Sequence, residues 1–195
     1  MLPVAAGAGA TSHGVPDTAG VTESLAQDSL IAQFNEIDSI SIHFDEYPDS
    51  IACVIVEPVA GNMGVVSPED GFLEGLREIT TGRGVLLIFD EVITGFRLAL
   101  EGAQGIYGVT PDLTCFGKIV GGGMTVGAYG GRADIMNVVS PLGPMYQAGT
   151  LSDHPVAMAA GIQTIHRLQQ SSAYEQLEEN AALLADGLND VFAEA

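Results

Sequence analysis

The chain has 195 residues, 47% of them apolar, with 25 acidic and only 6 basic side chains and a formal net charge of −19. So much core-forming material excludes a disordered acidic chain, and so negative a surface argues against nucleic acid or anionic membrane as a partner. No apolar stretch approaches the roughly 18 residues of a membrane-spanning helix. The first residues, Met1-Leu2-Pro3-Val4, lack the basic region of a secretory signal, so a cytoplasmic location is the expectation. A folded protein with an acidic surface and almost no lysine also predicts adaptation to high salt, where charge repulsion is screened.

In chain order, residues 5–20 are small, Gly-rich and aperiodic, which reads as a loop. A short helix is predicted over 36–47. Residues 51–57 form a continuous apolar run of strand length, stopped by Pro58. Phe72, Leu76 and Ile79 have helical spacing over 71–81, and residues 85–91 form a second apolar strand that closes on Asp90 and Glu91. Shorter strands are predicted over 113–117 and 126–131. Residues 156–168 read as a helix with an Ala-rich face, and Tyr174, Leu177, Ala181, Leu184, Leu188 and Val191 make a final amphipathic stripe. Apolar strands alternating with helices predict an α/β fold: a mostly parallel sheet, buried on both faces and flanked by helices. Cys53 and Cys115 both lie in strand-like runs and read as reduced core thiols. Neither end carries a terminal signal, which predicts part of a larger unit.

Ligands of such sheets bind beyond the carboxyl ends of the strands. Glu57, Asp90 and Glu91 fall there, and Lys118 follows a third strand. Lys118 is the only lysine, where a chain of this length would carry on the order of ten. Its apolar, glycine-flanked run predicts a buried amine, suited to Schiff-base chemistry with a carbonyl. A solvated surface lysine is the alternative. Asp90 could cap a helix or pair with an arginine; equally, it could hold a proton on a heterocycle nitrogen, as pyridoxal phosphate enzymes require. Asp112 and Ile119 break the nucleotide P-loop pattern around Lys118, and Val126 breaks a dinucleotide glycine motif. The four histidines and two cysteines show no metal-ligand spacing, and no serine occupies a hydrolase elbow. Asp90 and Glu91, being adjacent on a strand, point to opposite faces and cannot act as a glycosidase pair.

Five blocks carry a resemblance. They are Val56-Glu57-Pro58-Val59-Ala60-Gly61-Asn62-Met63-Gly64, Phe89-Asp90-Glu91-Val92-Ile93-Thr94-Gly95-Phe96-Arg97, Phe116-Gly117-Lys118-Ile119-Val120-Gly121-Gly122-Gly123, Val126-Gly127-Ala128-Tyr129-Gly130-Gly131-Arg132 and Tyr146-Gln147-Ala148-Gly149-Thr150-Leu151-Ser152. In order and spacing they resemble the glutamate-1-semialdehyde 2,1-aminomutases, class III pyridoxal phosphate enzymes of fold type I. Asn62-Met63-Gly64 and Phe96-Arg97 favour the aminomutases over the transaminases of the class, which tend to carry Gly-Arg-Thr-Gly after the Phe.

The resemblance implies that residues 1–170 are the central part of the large cofactor-binding domain, with a gate-like loop at 5–20. Residues 171–195 would be a helix leading towards a small C-terminal domain. It implies pyridoxal 5'-phosphate as cofactor, bound covalently by Lys118, which would also shuttle protons between carbons. Asp90 would keep the pyridine nitrogen protonated, Val92 would pack on the ring, and Asn62 would hydrogen-bond near its 3-oxygen. Thr150 would reach the cofactor phosphate of the partner subunit in a homodimer with a shared site. Glu57 would support the site or serve structure. The implied reaction converts glutamate 1-semialdehyde to 5-aminolevulinate for porphyrin synthesis. The departures are Ala8 for a common serine in the gate, Met124-Thr125 for Leu-Pro and Asp153-His154 for Gly-Asn. Family members are also longer, with an upstream phosphate cradle and a stacking aromatic. A related ω-amino acid transaminase, and an inactive remnant that folds or dimerises without catalysis, are the alternatives.

Overall fold

A computed structural model describes residues 22–193. The gate-like loop expected at 5–20 lies outside the described residues.

Helix α1 (Glu23–Gln27) and helix α2 (Ile37–Glu46) precede strand β1 (Cys53–Val56). Helix α3 (Phe72–Arg83) leads to strand β2 (Leu86–Glu91), and helix α4 (Gly102–Tyr107) to strand β3 (Leu113–Phe116). A 3-10 turn over Lys118–Gly121 follows, then strand β4 (Ala128–Gly131) and helices α5 (Ala133–Met136), α6 (Pro155–Gln170) and α7 (Ala173–Ala193). The strands form one sheet in the order β1-β2-β3-β4, parallel except for the antiparallel β3–β4 pair. An α/β fold with a mostly parallel sheet and flanking helices is therefore what the sequence folds into.

Strand alternation sorts the residues of the sheet. Leu87, Phe89 and Glu91 of β2 are buried, while Leu86, Ile88 and Asp90 are half-buried. Val54 and Val56 pair with Leu87 and Phe89 and so share their face. The helical spacing read from the sequence closes that face from above. Phe72, Leu73, Leu76 and Thr80 of α3 are buried, and so are Ile40 and Phe44 of α2. These residues form the core with Val85 and Val109. Gly84, at φ +68°, caps α3 in the left-handed conformation that favours glycine.

The expectation of burial on both faces is not met among the described residues. The helices α2 and α3 pack on the Leu87–Phe89 face, while Cys53 and Ile55 on the other face are exposed. Cys53 is accordingly not a core thiol, because its strand lies at the sheet edge; both cysteines are free. Although Cys53 as a residue is exposed, partial desolvation of its sulfur raises the thiol pKa, and desolvation together with the Asp90 charge raises that of Cys115. The stripe expected on the last helix is present in sequence, but no residue of α7 is buried, and Leu184 and Val191 are exposed.

Asp112, just before β3, sets the register at the amino ends of the strands. Its backbone N–H donates to the Leu87 carbonyl (2.8 Å) and its Oδ2 accepts the Leu87 N–H (2.8 Å). Arg77 of α3 and Arg132 after β4 each reach its carboxylate at 2.9 Å. Burial alone would raise this carboxyl, but hydrogen bonds from Arg132, the Leu87 amide and Arg77 outweigh it and hold the pKa below the ordinary value.

Candidate functional site

The parallel pairing of β2 and β3 brings three of the five expected residues together. Asp90 lies opposite Cys115 in the register, and Glu91 opposite Phe116. Lys118 therefore begins the turn two residues beyond the pair that follows Asp90. Val92 closes the gap: a Cβ placed on Gly117 would stand 3.1 Å from its Cγ1. At position 117 any larger residue would push against Val92.

Asp90 is half-buried, and its Oδ1 accepts the Val92 N–H at 3.0 Å. That bond fixes the carboxylate's rotation and leaves Oδ2 for another donor. No described hydrogen bond ties Asp90 to a helix end or an arginine, so neither structural alternative for it is realised among the described residues. Lys118 is exposed, contrary to the buried amine expected from its apolar flanks. Its apolar neighbours Phe116, Ile119 and Val120 are half-buried. Its backbone is at φ +49°, a left-handed conformation uncommon for a side-chain-bearing residue. Such conformations persist where the surroundings over-determine them, and they gather at functional sites.

The surroundings here are the glycine turn and α6. Gly122, at φ +58°, lies so close to α6 that a Cβ would overlap Thr164 Oγ1 and the Ala160 carbonyl oxygen. Gly161 of α6 in turn lies against the Val120 carbonyl. Two glycines thus let the turn after Lys118 seat directly on a helix, and this fixes the lysine's backbone.

The fourth residue, Asn62, lies in the loop after β1. Its Nδ2 donates to Glu57 Oε1 at 3.1 Å, and Glu57 Oε2 accepts the Gly61 N–H at 3.0 Å. Both hydrogen bonds assign Glu57 to shaping this loop. A Cβ on Gly61 would come within 2.8 Å of Ile93 Cδ1, so the loop rests on the segment that follows Asp90. Thr150 is not brought to this group by any hydrogen bond; it is exposed in the turn before α6, where the Ser152 N–H donates to the Gly149 carbonyl (2.9 Å).

Sequence reasoning missed the buried Glu91 carboxylate and the packing of Phe96 on Phe116, whose ring centres are 5.5 Å apart. The Asp90-Glu91 pair signalled two faces, but nothing in the sequence said what the second face would meet. A cavity of about 260 Å³ lined by Phe44, Tyr47, Ile51, Arg83 and Val85 sits at the opposite, amino ends of the strands and contains none of the expected site residues. No group of His, Cys, Asp and Glu suited to a metal ion occurs among the described residues.

Residues 7–195 match the aminotransferase class-III family. The chain is 56% identical over 189 residues to a glutamate-1-semialdehyde 2,1-aminomutase 2 of Brevibacillus brevis, covering 97% of this chain and 44% of that relative. The chain thus spans less than half the length of the curated relatives it matches. An omega-transaminase from Sphaerobacter thermophilus superposes with a TM-score of 0.85 at 38% identity, over 92% of this chain and 41% of its own. A glutamate-1-semialdehyde aminomutase from Pseudomonas aeruginosa PAO1, solved in complex with PMP, gives a TM-score of 0.73 at 27% identity, over 92% of this chain and 42% of its own. With nearly its whole length matched, the chain belongs to the class-III aminotransferases.

Proposed function

We propose that this chain carries the lysine and aspartate half of a pyridoxal phosphate-dependent isomerase site that converts glutamate 1-semialdehyde to 5-aminolevulinate. The observation that carries the reading is the placement of Asp90, Val92 and Lys118 at the carboxyl ends of two adjacent parallel strands, in a chain 56% identical to an aminomutase. The residues present suit the cofactor chemically. A carboxylate with one free oxygen matches a protonated ring nitrogen. A primary amine without a salt-bridge partner among the described residues matches an aldehyde. A Val side chain against Gly117 offers an apolar surface to a flat ring.

When bound, pyridoxal phosphate supplies an electron-poor ring that stabilises negative charge on a neighbouring carbon. Asp90 would hold the proton on the ring nitrogen through Oδ2, since the Val92 N–H occupies Oδ1. Val92 would support one face of the ring. Asn62, whose amide is braced by Glu57, would donate near the ring's 3-oxygen. Lys118 Nζ would accept and donate the protons that move at the reacting carbons, as general base and then general acid. The net change is an exchange of amino group and carbonyl between neighbouring carbons, so substrate and product are isomers and no external acceptor is consumed. Thr150 serves the phosphate across a homodimer interface. Residues 1–170 belong to the large domain, and 171–195 lead towards a small one. No described helix is long and apolar enough to cross a membrane, and the cytoplasm is the compartment proposed.

Visible spectra after addition of pyridoxal phosphate test the reading. An absorbance band that appears with the wild-type chain and is lost in Lys118→Ala supports it. The absence of a band, both alone and with the missing segments of the relatives supplied, leaves a folded remnant. A second reading, an ω-amino acid transaminase, is favoured by the 0.85 TM-score to the Sphaerobacter enzyme. Formation of 5-aminolevulinate without an added amino acceptor decides against it; dependence on an acceptor decides for it.

A further inference from the structure

Glu91 follows Asp90 directly, yet the reaction above does not use it. Strand alternation turns it to the opposite face of the sheet, where it is 0% exposed. Its carboxylate accepts hydrogen bonds from Thr94 Oγ1 (3.0 Å), the Ala103 N–H (2.6 Å), the Gln104 N–H (3.0 Å) and Gln104 Nε2 (3.1 Å). None of these partners is a cation. A buried carboxylate is costly unless donors surround it, so the identity of the donors matters.

The donors lie at the two ends of one segment, 92–102. Thr94 stands near its start, and Ala103 and Gln104 just past its end. The Gly95 N–H adds a bond to the Glu91 carbonyl at 2.8 Å. Gly102, at φ +70°, lies against the carboxylate, and a Cβ there would overlap it. Between these anchors the segment packs on the lysine strand. A Cβ on Gly95 would meet the Phe116 ring at 2.7 Å, and the Phe96 ring tilts against the same ring. Phe116 is followed at once by Gly117 and Lys118. Glu91 therefore holds a loop that begins with Val92, next to Asp90, and that packs on Phe116 and Gly117, the two residues before Lys118.

We propose that Glu91 is a positioning residue: its carboxylate clamps the 92–102 loop and so keeps Asp90, Val92 and Lys118 in mutual register. The clamp stands on the geometry alone, whereas its consequence for the cofactor rests on the function proposed above. Glu91→Gln is the sharpest probe. Each carboxylate oxygen accepts a backbone N–H, so a side-chain amide must set its own NH2 against one of them. Thr94→Val removes one donor at nearly constant shape and serves if the first variant does not fold.

Amide hydrogen exchange is measured on the full chain without cofactor. The expected result is about tenfold faster exchange at Gly95, Ala103 and Gln104, with the buried α3 amides unchanged. The pH midpoint of the absorbance band of added pyridoxal phosphate is then compared with wild type, and a shift of about half a pH unit or more is expected. Faster exchange with an unmoved midpoint makes Glu91 merely structural and overturns the proposal, as does unchanged exchange. If wild type shows no band, the cofactor reading has failed instead. The clamp is then read from the labelling rate of the Lys118 amine by trinitrobenzenesulfonate, located by peptide mapping. A rate equal to wild type in both variants overturns it, and a changed rate supports it.

Discussion

Lys118 combines an exposed amine with a left-handed backbone, and the two can be tested apart. An L residue in that region carries about 1 kcal/mol of strain that glycine avoids. Lys118→Gly is therefore expected to be more stable than Lys118→Ala by about 1 kcal/mol in urea unfolding; equal midpoints would deny the strain. Both variants lose the proton-transferring amine, so 5-aminolevulinate formation by the complete site should fall by about 10²–10⁴-fold or more in each. A side-chain-bearing residue held in the left-handed region by its surroundings is a pattern that gathers at functional positions. Composition singled out this lysine, since no other is present. Its φ could not be read from sequence, because the close approach of Gly122 and Gly161 to their neighbours imposes it, and those neighbours lie some 40 residues apart along the chain.

Among the elements, α3 and β2 dominate the core. Leu76, fully buried between them, is expected to cost about 2–5 kcal/mol on truncation to Ala, measured by chemical denaturation. Helical spacing made α3 legible and a continuous apolar run made β2 legible, whereas the restriction of full burial to the Leu87–Phe89 face of β2 was not expected. The short elements α1, α4 and α5 were not legible, because their positions depend on contacts distant in sequence; α4 begins where Glu91 accepts its first amides. Asp112 is the other such case. It joins α3, β2 and the segment after β4, and its carboxyl titrates below the ordinary value. A carboxyl depressed in the folded state contributes its full stability above the unfolded value of about 3.9 and loses it as the pH falls through the lower folded value. Asp112→Asn should cost about 2 kcal/mol at pH 7, discounted from a fully buried pair because Arg132 is half-exposed. That deficit should shrink as the pH is lowered below about 4. A deficit constant from pH 7 to 2 would contradict this account.

For the whole molecule, a net charge of −19 predicts self-repulsion that salt relieves, so Tm should rise between low and molar KCl, and a flat or falling Tm would sink the salt-adaptation reading. The sheet face bearing Cys53 and Ile55 and the apolar stripe of α7 are exposed, in a chain that spans 44% of a 56% identical relative. Fold class and the candidacy of Asp90 and Lys118 followed from the sequence by itself, because periodicity and composition are properties of the chain before it folds, whereas Val92 and Asn62 entered through the family resemblance of the motifs. Which of those candidates meet was decided only by the tertiary structure. Parallel pairing set Asp90 opposite Cys115, and a glycine with no side chain let Val92 close on the lysine strand. Thr150 stayed apart from that group, and Glu91 turned from a bystander into a clamp. Burial and hydrogen bonding between residues distant in sequence depend on how the surfaces pack, and no local pattern encodes that.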